Sequence, residues 1–391
     1  MPLTLDIADP RRRGACPTLY SPMATGDGLL ARIRVKDGRL TPAQLGALAL
    51  AARQHGNGLV EVTARGNLQV RGLTARTSPA FAEAVRATLP VLDGLVPDLS
   101  PLAGEDPGEK ADPRPLAAAI GDRARNLGSR LGPKVSVVID GDGQISLSAL
   151  KADIRLLALG EERWKIWIGN REPVETKTDG AVDIASSTLA ALAELGPSAR
   201  ATDLYPSQSR PRGERSRATD TGNSCYNIAS GQTIPIALPF GAMHADSLHA
   251  LAEAAARAGV TTIRLAPDHA LLLDNAPPNL IEGASGLGFI TTLNDPRRRV
   301  SACIGSAGCA SGHVPARDLA GRLARALPPG QHLHVSGCSK GCAHPRPAEV
   351  TLVGRVEGIG LVIEGRASDT PMQILGEGGI AAALAACREG R

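Results

Sequence analysis

Four of the seven cysteines in this 391-residue chain fall in its last quarter as two close pairs, Cys303-x5-Cys309 and Cys338-x3-Cys342. Both pairs sit among small residues, in Ser301-Ala302-Cys303-Ile304-Gly305-Ser306-Ala307-Gly308-Cys309-Ala310 and Ser336-Gly337-Cys338-Ser339-Lys340-Gly341-Cys342-Ala343. Small residues let backbone wrap closely around an inorganic core, and four thiolates on such loops suit an iron-sulfur cube. A closed zinc site is the other chemistry open to them: the three-residue gap lies within zinc-finger spacing, although the five-residue gap does not. A disulfide framework fits poorly, since a chain this long buries a large core without staples. Cys16, Cys225 and Cys387 stand apart and read as core thiols, Cys387 on one helical face with Ile380 and Leu384.

The elements that must carry these loops repeat. Residues 28–73 read as a strand (Leu29 to Val35), a helix opened by Thr41 and Pro42 and closed at Gly56, and two further strands, Leu59 to Thr63 and Asn67 to Leu73. Residues 233–275 follow the same plan, with a strand Ile234 to Leu238, a helix from Asp246 to Gly259, and strands Thr261 to Leu265 and His269 to Leu273. Arg65-Gly66 and Pro267-Asp268 occupy the equivalent turns. Strand alternation places Asn67, Gln69 and Arg71 on one face.

A second unit follows each of these. Pro113 to Leu131 is helical, with Leu116, Ile120, Leu127 and Leu131 roughly in phase, and leads to strands Val135 to Ile139 and Ile154 to Leu159. Pro315 to Leu327 repeats the helix before strands His332 to Val335 and Glu349 to Val353. Asp140-Gly141-Asp142-Gly143 stands in the first copy where the second has Ser336-Gly337-Cys338-Ser339. Between the halves, Gly196 to Asn223 lacks periodicity and carries Arg210, Arg212, Arg215 and Arg217. It reads as a basic linker crossing where ligand clefts form.

Composition narrows the function classes. There is no run of 18 apolar residues and no signal-peptide pattern, so a cytoplasmic protein without a membrane segment is expected. Aromatic residues make up only 2%, which argues against stacking on nucleic-acid bases. Of 43 basic residues only seven are lysine, and guanidinium forks match carboxylates. The abundance of Ala and Gly offers a coding-bias explanation for the same excess, so the arginine count decides nothing alone.

The cysteine pairs, the duplicated plan and the segment Thr63-Ala64-Arg65-Gly66-Asn67-Leu68-Gln69-Val70-Arg71-Gly72 together resemble the sulfite and nitrite reductase superfamily over most of the chain. That resemblance implies an α+β, pseudo-twofold duplicated fold. Its units would be a first ferredoxin-like half-domain (1–75), an α/β cluster-type domain without cluster cysteines (76–200), the linker with a second half-domain (201–291), and a cluster-binding α/β domain (292–391). It further implies a [4Fe-4S] cluster held by Cys303, Cys309, Cys338 and Cys342, beneath a tetrapyrrole in the cleft between the halves. In the reductases the tetrapyrrole is sirohaem, and the cysteine matching Cys342 bridges cluster and haem iron.

The chain departs from the reductases where they grip a small oxyanion. Their Lys-x-Lys pair has no counterpart in Leu147-Ser148-Ala149-Leu150-Lys151-Ala152-Asp153, and of the oxyanion grip only Arg65 clearly survives. Loss of buried positive charge removes stabilisation for a small dianion. Arg12-Arg13-Gly14-Ala15-Cys16-Pro17, Pro22-Met23-Ala24-Thr25-Gly26-Asp27-Gly28-Leu29-Leu30 and Gly341-Cys342-Ala343-His344-Pro345 are instead similar to the precorrin-3B synthase family of aerobic cobalamin biosynthesis.

In that family the tetrapyrrole is the substrate. Precorrin-3A is hydroxylated with molecular oxygen at the meso carbon between rings A and D, and a ring-A acetate closes a γ-lactone. An apolar macrocycle fringed with carboxylates needs an apolar floor and a guanidinium rim, for which Arg65, Asn67, Gln69 and Arg71 are the candidates. No flavin or nicotinamide fingerprint is present, so electrons would come from an external reductase or ferredoxin, ultimately from NADH or NADPH. The resemblance also implies a mononuclear non-haem iron. No 2-His-1-carboxylate set for it is legible, and His313, His334 and His344 read as surface or supporting polar residues. A sirohaem-dependent sulfite or nitrite reductase is the alternative reading.

Overall fold

A computed structural model describes residues 16–205 and 233–389. Cys225 and the four linker arginines lie outside the described residues, as does the side chain of Cys387.

The helix at 42–55 forms because Thr41 and Gln44 make a reciprocal cap: the Gln44 amide donates to the Thr41 hydroxyl at 3.2 Å, and the Thr41 amide to the Gln44 side chain at 2.9 Å. Pro42 needs no donor at that position, and Gly56 ends the helix. Around it, Met23–Thr25, Gly28–Ile33, Leu68–Leu73 and Leu59–Val62 make an antiparallel sheet in that order. The second half repeats the plan with Thr233–Ala237, Ala270–Asp274 and Ile263–Ala266, beside the helix Ala245–Arg257.

The halves also trade strands, which the repeat did not reveal. After its first strand each half makes a tight turn, Lys36–Gly38 or Pro239–Gly241, whose middle residue is left-handed: Asp37 has φ 57° and Phe240 φ 55°. The chain then leaves its own sheet. Arg39–Leu40 pairs with Ile263–Ala266 of the second half, and Ala242–His244 pairs with Leu59–Val62 of the first. Helices Pro42–His55 and Ala245–Arg257 pack together, and Gly46 admits His249 and Ala252 where a side chain would stand 3.4–3.6 Å from them. One apolar core results, joining Ile33, Leu48, Val60 and Val70 to Leu251, Ile263 and Leu271. This is an α+β fold duplicated about a pseudo-twofold.

Each α/β unit has its own core. Val137–Asp140, Ile154–Gly160, Arg163–Ile168 and Val174–Lys177 form one sheet, with the first pair parallel and the rest antiparallel. In the other, Val300–Ala302, Leu333–Ser336 and Ala348–Arg355 are parallel, and Gly358–Gly365 and Gln373–Leu375 extend the sheet antiparallel.

The units pack crosswise. Leu102 and Ile145 of the first α/β unit seal an apolar face on the second half's sheet, made of Ala237, Ala266, Ala270, Leu272 and Ile290. The pseudo-equivalent face on the first half's sheet, opposite the cysteine loops, is polar. Duplication therefore built two such interfaces, of which one is sealed with hydrocarbon and the other carries charge.

Candidate functional site

The cysteine loops leave the C-terminal ends of the parallel strands Val300–Ala302 and Leu333–Ser336. Tight backbone contacts fold them: the Cys309 amide donates to the Gly305 carbonyl at 2.9 Å, and the His313 amide to the Gly337 carbonyl at 2.8 Å. A methyl group on Gly312 would stand 2.5 Å from the Gly305 carbonyl carbon, so the loops close only with glycine there. The Gly337 amide points at Cys303 Sγ, 3.1 Å away, as a backbone donor to a thiolate would. All four thiols are free, with Cys342 exposed and the other three half-buried. Burial first, and then Cys303, Cys338 and Cys309, push the Cys342 thiol above its ordinary pKa. The other three cysteines thus lie close enough for their charge to act on Cys342.

The first half touches this loop through its N-terminal hairpin. Gly26 accepts the Ala310 amide at 3.2 Å, and a methyl group on Gly26 would lie 2.6 Å from Cys309 Sγ. Beside it Asp27 takes Arg71 bidentately, both bonds 2.8 Å. Burial works against the Asp27 charge, but Arg71 more than compensates and its pKa is lowered. Arg71 also lies 3.7 Å from Glu61, which accepts from Arg317 at 2.6 Å. Nε and Nη1 of Arg317 are buried with no protein partner.

Leu68 and Val70 point into the core, so Gln69 and Arg71 share the opposite face, as alternation required. Gln69 is spoken for: in the amide orientation that satisfies both neighbours it donates to Glu61 at 3.1 Å and accepts from Arg32 at 2.8 and 3.0 Å. Arg32 also donates to Cys16 Sγ at 2.9 Å, which makes that thiol a polar contact rather than part of an apolar core. Asn67 is half-buried at the start of the strand, its amide donating to the Thr63 hydroxyl at 3.0 Å.

Arg65 sits at the turn, paired with the Asp98 carboxylate and the Lys151 carbonyl. Asp98 is fixed by backbone bonds on both sides of Val138. Burial raises its pKa, against the pull of Arg65, Arg34 and Arg32. Arg155 is desolvated and feels Arg65, and its guanidinium donates to the carbonyls of Leu147, Ser148 and Leu150. The matching turn of the second half reverses the charge, with Asp268 paired to Arg298 at 2.8 Å.

His334 is no surface residue. It is fully buried, its Nδ1 lies 3.3 Å from the Ser301 hydroxyl, and burial lowers its pKa to about 4. His344 stacks on His332 with ring centroids 4.7 Å apart.

Asp27, Arg32, Arg34, Glu61, Asp98 and Arg317 were missed from the sequence. Arg32 and Arg34 alternate with buried Ala31, Ile33 and Val35, so a period-of-two reading of that strand could have found them. Asp98 lies in irregular chain and gave no signal.

The duplicated α+β fold is that of the nitrite and sulfite reductases. Residues 21–88 match the family described as the nitrite/sulfite reductase ferredoxin-like half domain. The Mycobacterium tuberculosis NirA protein has the same fold, with a TM-score of 0.63 at 19% identity over 90% of this chain and 79% of that one. A ferredoxin–nitrite reductase of Synechococcus elongatus is 23% identical over 86% of this chain and 78% of its own length. A precorrin-3B synthase of Sinorhizobium is 38% identical over 98% of this chain and 90% of its own length. Within the superfamily, the chain belongs to the precorrin-3B synthase family.

Proposed function

We propose that the protein is an oxidoreductase of cobalamin biosynthesis that hydroxylates precorrin-3A. One atom of molecular oxygen enters the substrate and the other leaves as water, with two electrons and two protons drawn from an external donor. Nearly full-length relation to a precorrin-3B synthase carries this reading. The charged face opposite the cysteine loops supports it.

The donor set suits a [4Fe-4S] cluster on Cys303, Cys309, Cys338 and Cys342. Glycine-lined loops, a backbone donor to Cys303 and orphaned buried donors on Arg317 all favour a compact anionic group nearby. The five-residue gap between Cys303 and Cys309 lies outside zinc-finger spacing, which favours a cluster over closed zinc. Such a cluster, when bound, supplies electrons one at a time.

The chain's own residues would hold the substrate. Arg65 would take a carboxylate of the macrocycle with its planar fork, Arg32 and Asn67 would present donors along the same face, and Gln69 would keep Arg32 in place. Arg71 is committed to Asp27 and Glu61 and supports the cysteine loop from below. No small-anion grip survives at the loop 147–153, where Arg155 and Arg65 bind backbone carbonyls instead, so reduction of sulfite or nitrite is not favoured.

The test is aerobic incubation of the reconstituted protein with precorrin-3A and a reductant under isotopically heavy oxygen gas. The expected product carries one heavy oxygen atom by mass spectrometry. Unchanged precorrin-3A, with a full complement of iron and sulfide on the protein, would rule the reading out.

A further inference from the structure

We propose that Asp98 is a specificity-determining residue: an internal carboxylate that occupies the guanidinium cluster of the first half's sheet and keeps small inorganic oxyanions out of it. The inference deepens the reading above and rests on it for the identity of the ligand that is let in.

Arg32, Arg34 and Arg65 lie near enough to influence the Asp98 charge. Without Asp98 they would form a cationic pocket suited to any compact dianion, because guanidinium groups bind sulfate or phosphate as readily as carboxylate. Asp98 prevents that in two ways. Its carboxylate already takes Nη1 of Arg65, and Nη2 meets the Lys151 carbonyl, so neither arm of the fork is open to an incoming anion. It also sits within the cluster with a side chain only 15% exposed, its negative charge opposed by burial and favoured by Arg65, Arg34 and Arg32. Backbone bonds from Asp98 to Val137 and from Ile139 to Asp98 hold the residue in place, so it cannot withdraw with a moving loop.

A small dianion entering here would meet a buried like charge and would have no contact elsewhere to offset the repulsion. A carboxylate on a large ring differs in both respects. It brings a single charge that Arg65 can exchange for Asp98 with little change in its hydrogen bonding, and the ring's burial elsewhere supplies the binding energy for that exchange. At the equivalent turn of the second half the charge is reversed, with Asp268 paired to Arg298. Discrimination between a bare oxyanion and a carboxylate-bearing macrocycle is therefore located at one residue.

The experiment is calorimetric titration of the full-length protein with sodium sulfate, with no tetrapyrrole present. Wild type should show no saturable sulfate binding, whereas Asp98→Asn should bind at least about tenfold more tightly than the weakest affinity the titration resolves, and the gain should vanish in Asp98→Asn/Arg65→Ala. Equal affinity in wild type and Asp98→Asn, or a gain that survives removal of Arg65, overturns the proposal. Should Asp98→Asn lose its cooperative melting transition, wild type and Arg65→Ala decide the matter: saturable sulfate binding by wild type that Arg65→Ala abolishes also overturns it, and its absence upholds it. Because the readout is sulfate binding, a failure to oxygenate precorrin-3A would leave it standing, and the reverse also holds.

Discussion

Arg65 and Arg71 lie six residues apart on one turn and strand, and the sequence could not separate their roles because both are arginines on the cleft side of a hairpin. Their partners do. Arg71 is 15% exposed against an Asp27 side chain of only 4%, and truncating one member of such a pair leaves a buried charge uncompensated, which costs about 3–5 kcal/mol. Arg71→Ala is therefore expected to lower the urea midpoint sharply, and unchanged stability would show that water reaches Asp27. Arg65 is more exposed and faces one carboxylate that a ligand can replace. Arg65→Ala should lower the midpoint less than Arg71→Ala does, because its pair with Asp98 is more exposed, and weaken precorrin-3A binding by roughly 30-fold or more, the low end of what a lost buried charge partner costs. Equal affinity in a direct titration would make Arg65 structural. The cysteines were legible as a group because their chemistry depends on residue type and spacing alone. Asp98 and Asp27 were not, because a lone carboxylate acquires meaning only from what the fold sets beside it.

At the scale of elements, the helix at 42–55 could be read from Thr41, Pro42 and Gly56, since caps are local chemistry. The exchanged strands could not: Arg39–Leu40 is two residues long and its partner lies in the other half. The hairpin at Gly26 likewise reads as an ordinary turn until Cys309 is placed against it. Gly26→Ala would drive a methyl group to within 2.6 Å of that sulfur and 3.0 Å of the Ala310 amide. The protein should fold but lose iron and acid-labile sulfide, as Cys338→Ser should; a Gly26→Ala protein with full iron and sulfide would disprove the contact.

The loop 140–143, which stands where the other half has cysteines, gives a pH dependence. Glu109 packs beneath it with Oε1 buried and unpartnered. Burial, helped by Asp106 and Asp112, raises its pKa from 4.5 to about 7. Between those values the folded chain keeps a proton that the unfolded chain has lost, so this group favours folding most at low pH. The benefit is lost as pH rises toward 7, and the loss is then constant. Glu109→Gln should gain stability over wild type at about pH 8 and much less at about pH 5, read from urea midpoints. A parallel offset at both pH values would mean that Glu109 is already ionised when folded.

For the whole molecule, duplication was legible because the order of apolar strands and helices repeats, but the way the copies hold one another was not. The halves share one apolar core, each lends the other a strand, and their first helices pack face to face. Arg264 of the second half, 8% exposed, adds bonds to Glu105 at 2.7 Å and to the Pro101 carbonyl at 3.1 Å. None of these contacts depends on the peptide bonds of residues 206–232. A protease site inserted in that stretch should therefore yield, after cleavage, two fragments that still elute together at the mass of the intact chain and separate only in denaturant. Separation would also expose the core faces of both sheets and two unpaired strand edges, which favours aggregation over free half-molecules. Two stable species of half mass under native conditions would show that the shared core contributes little to holding the halves together.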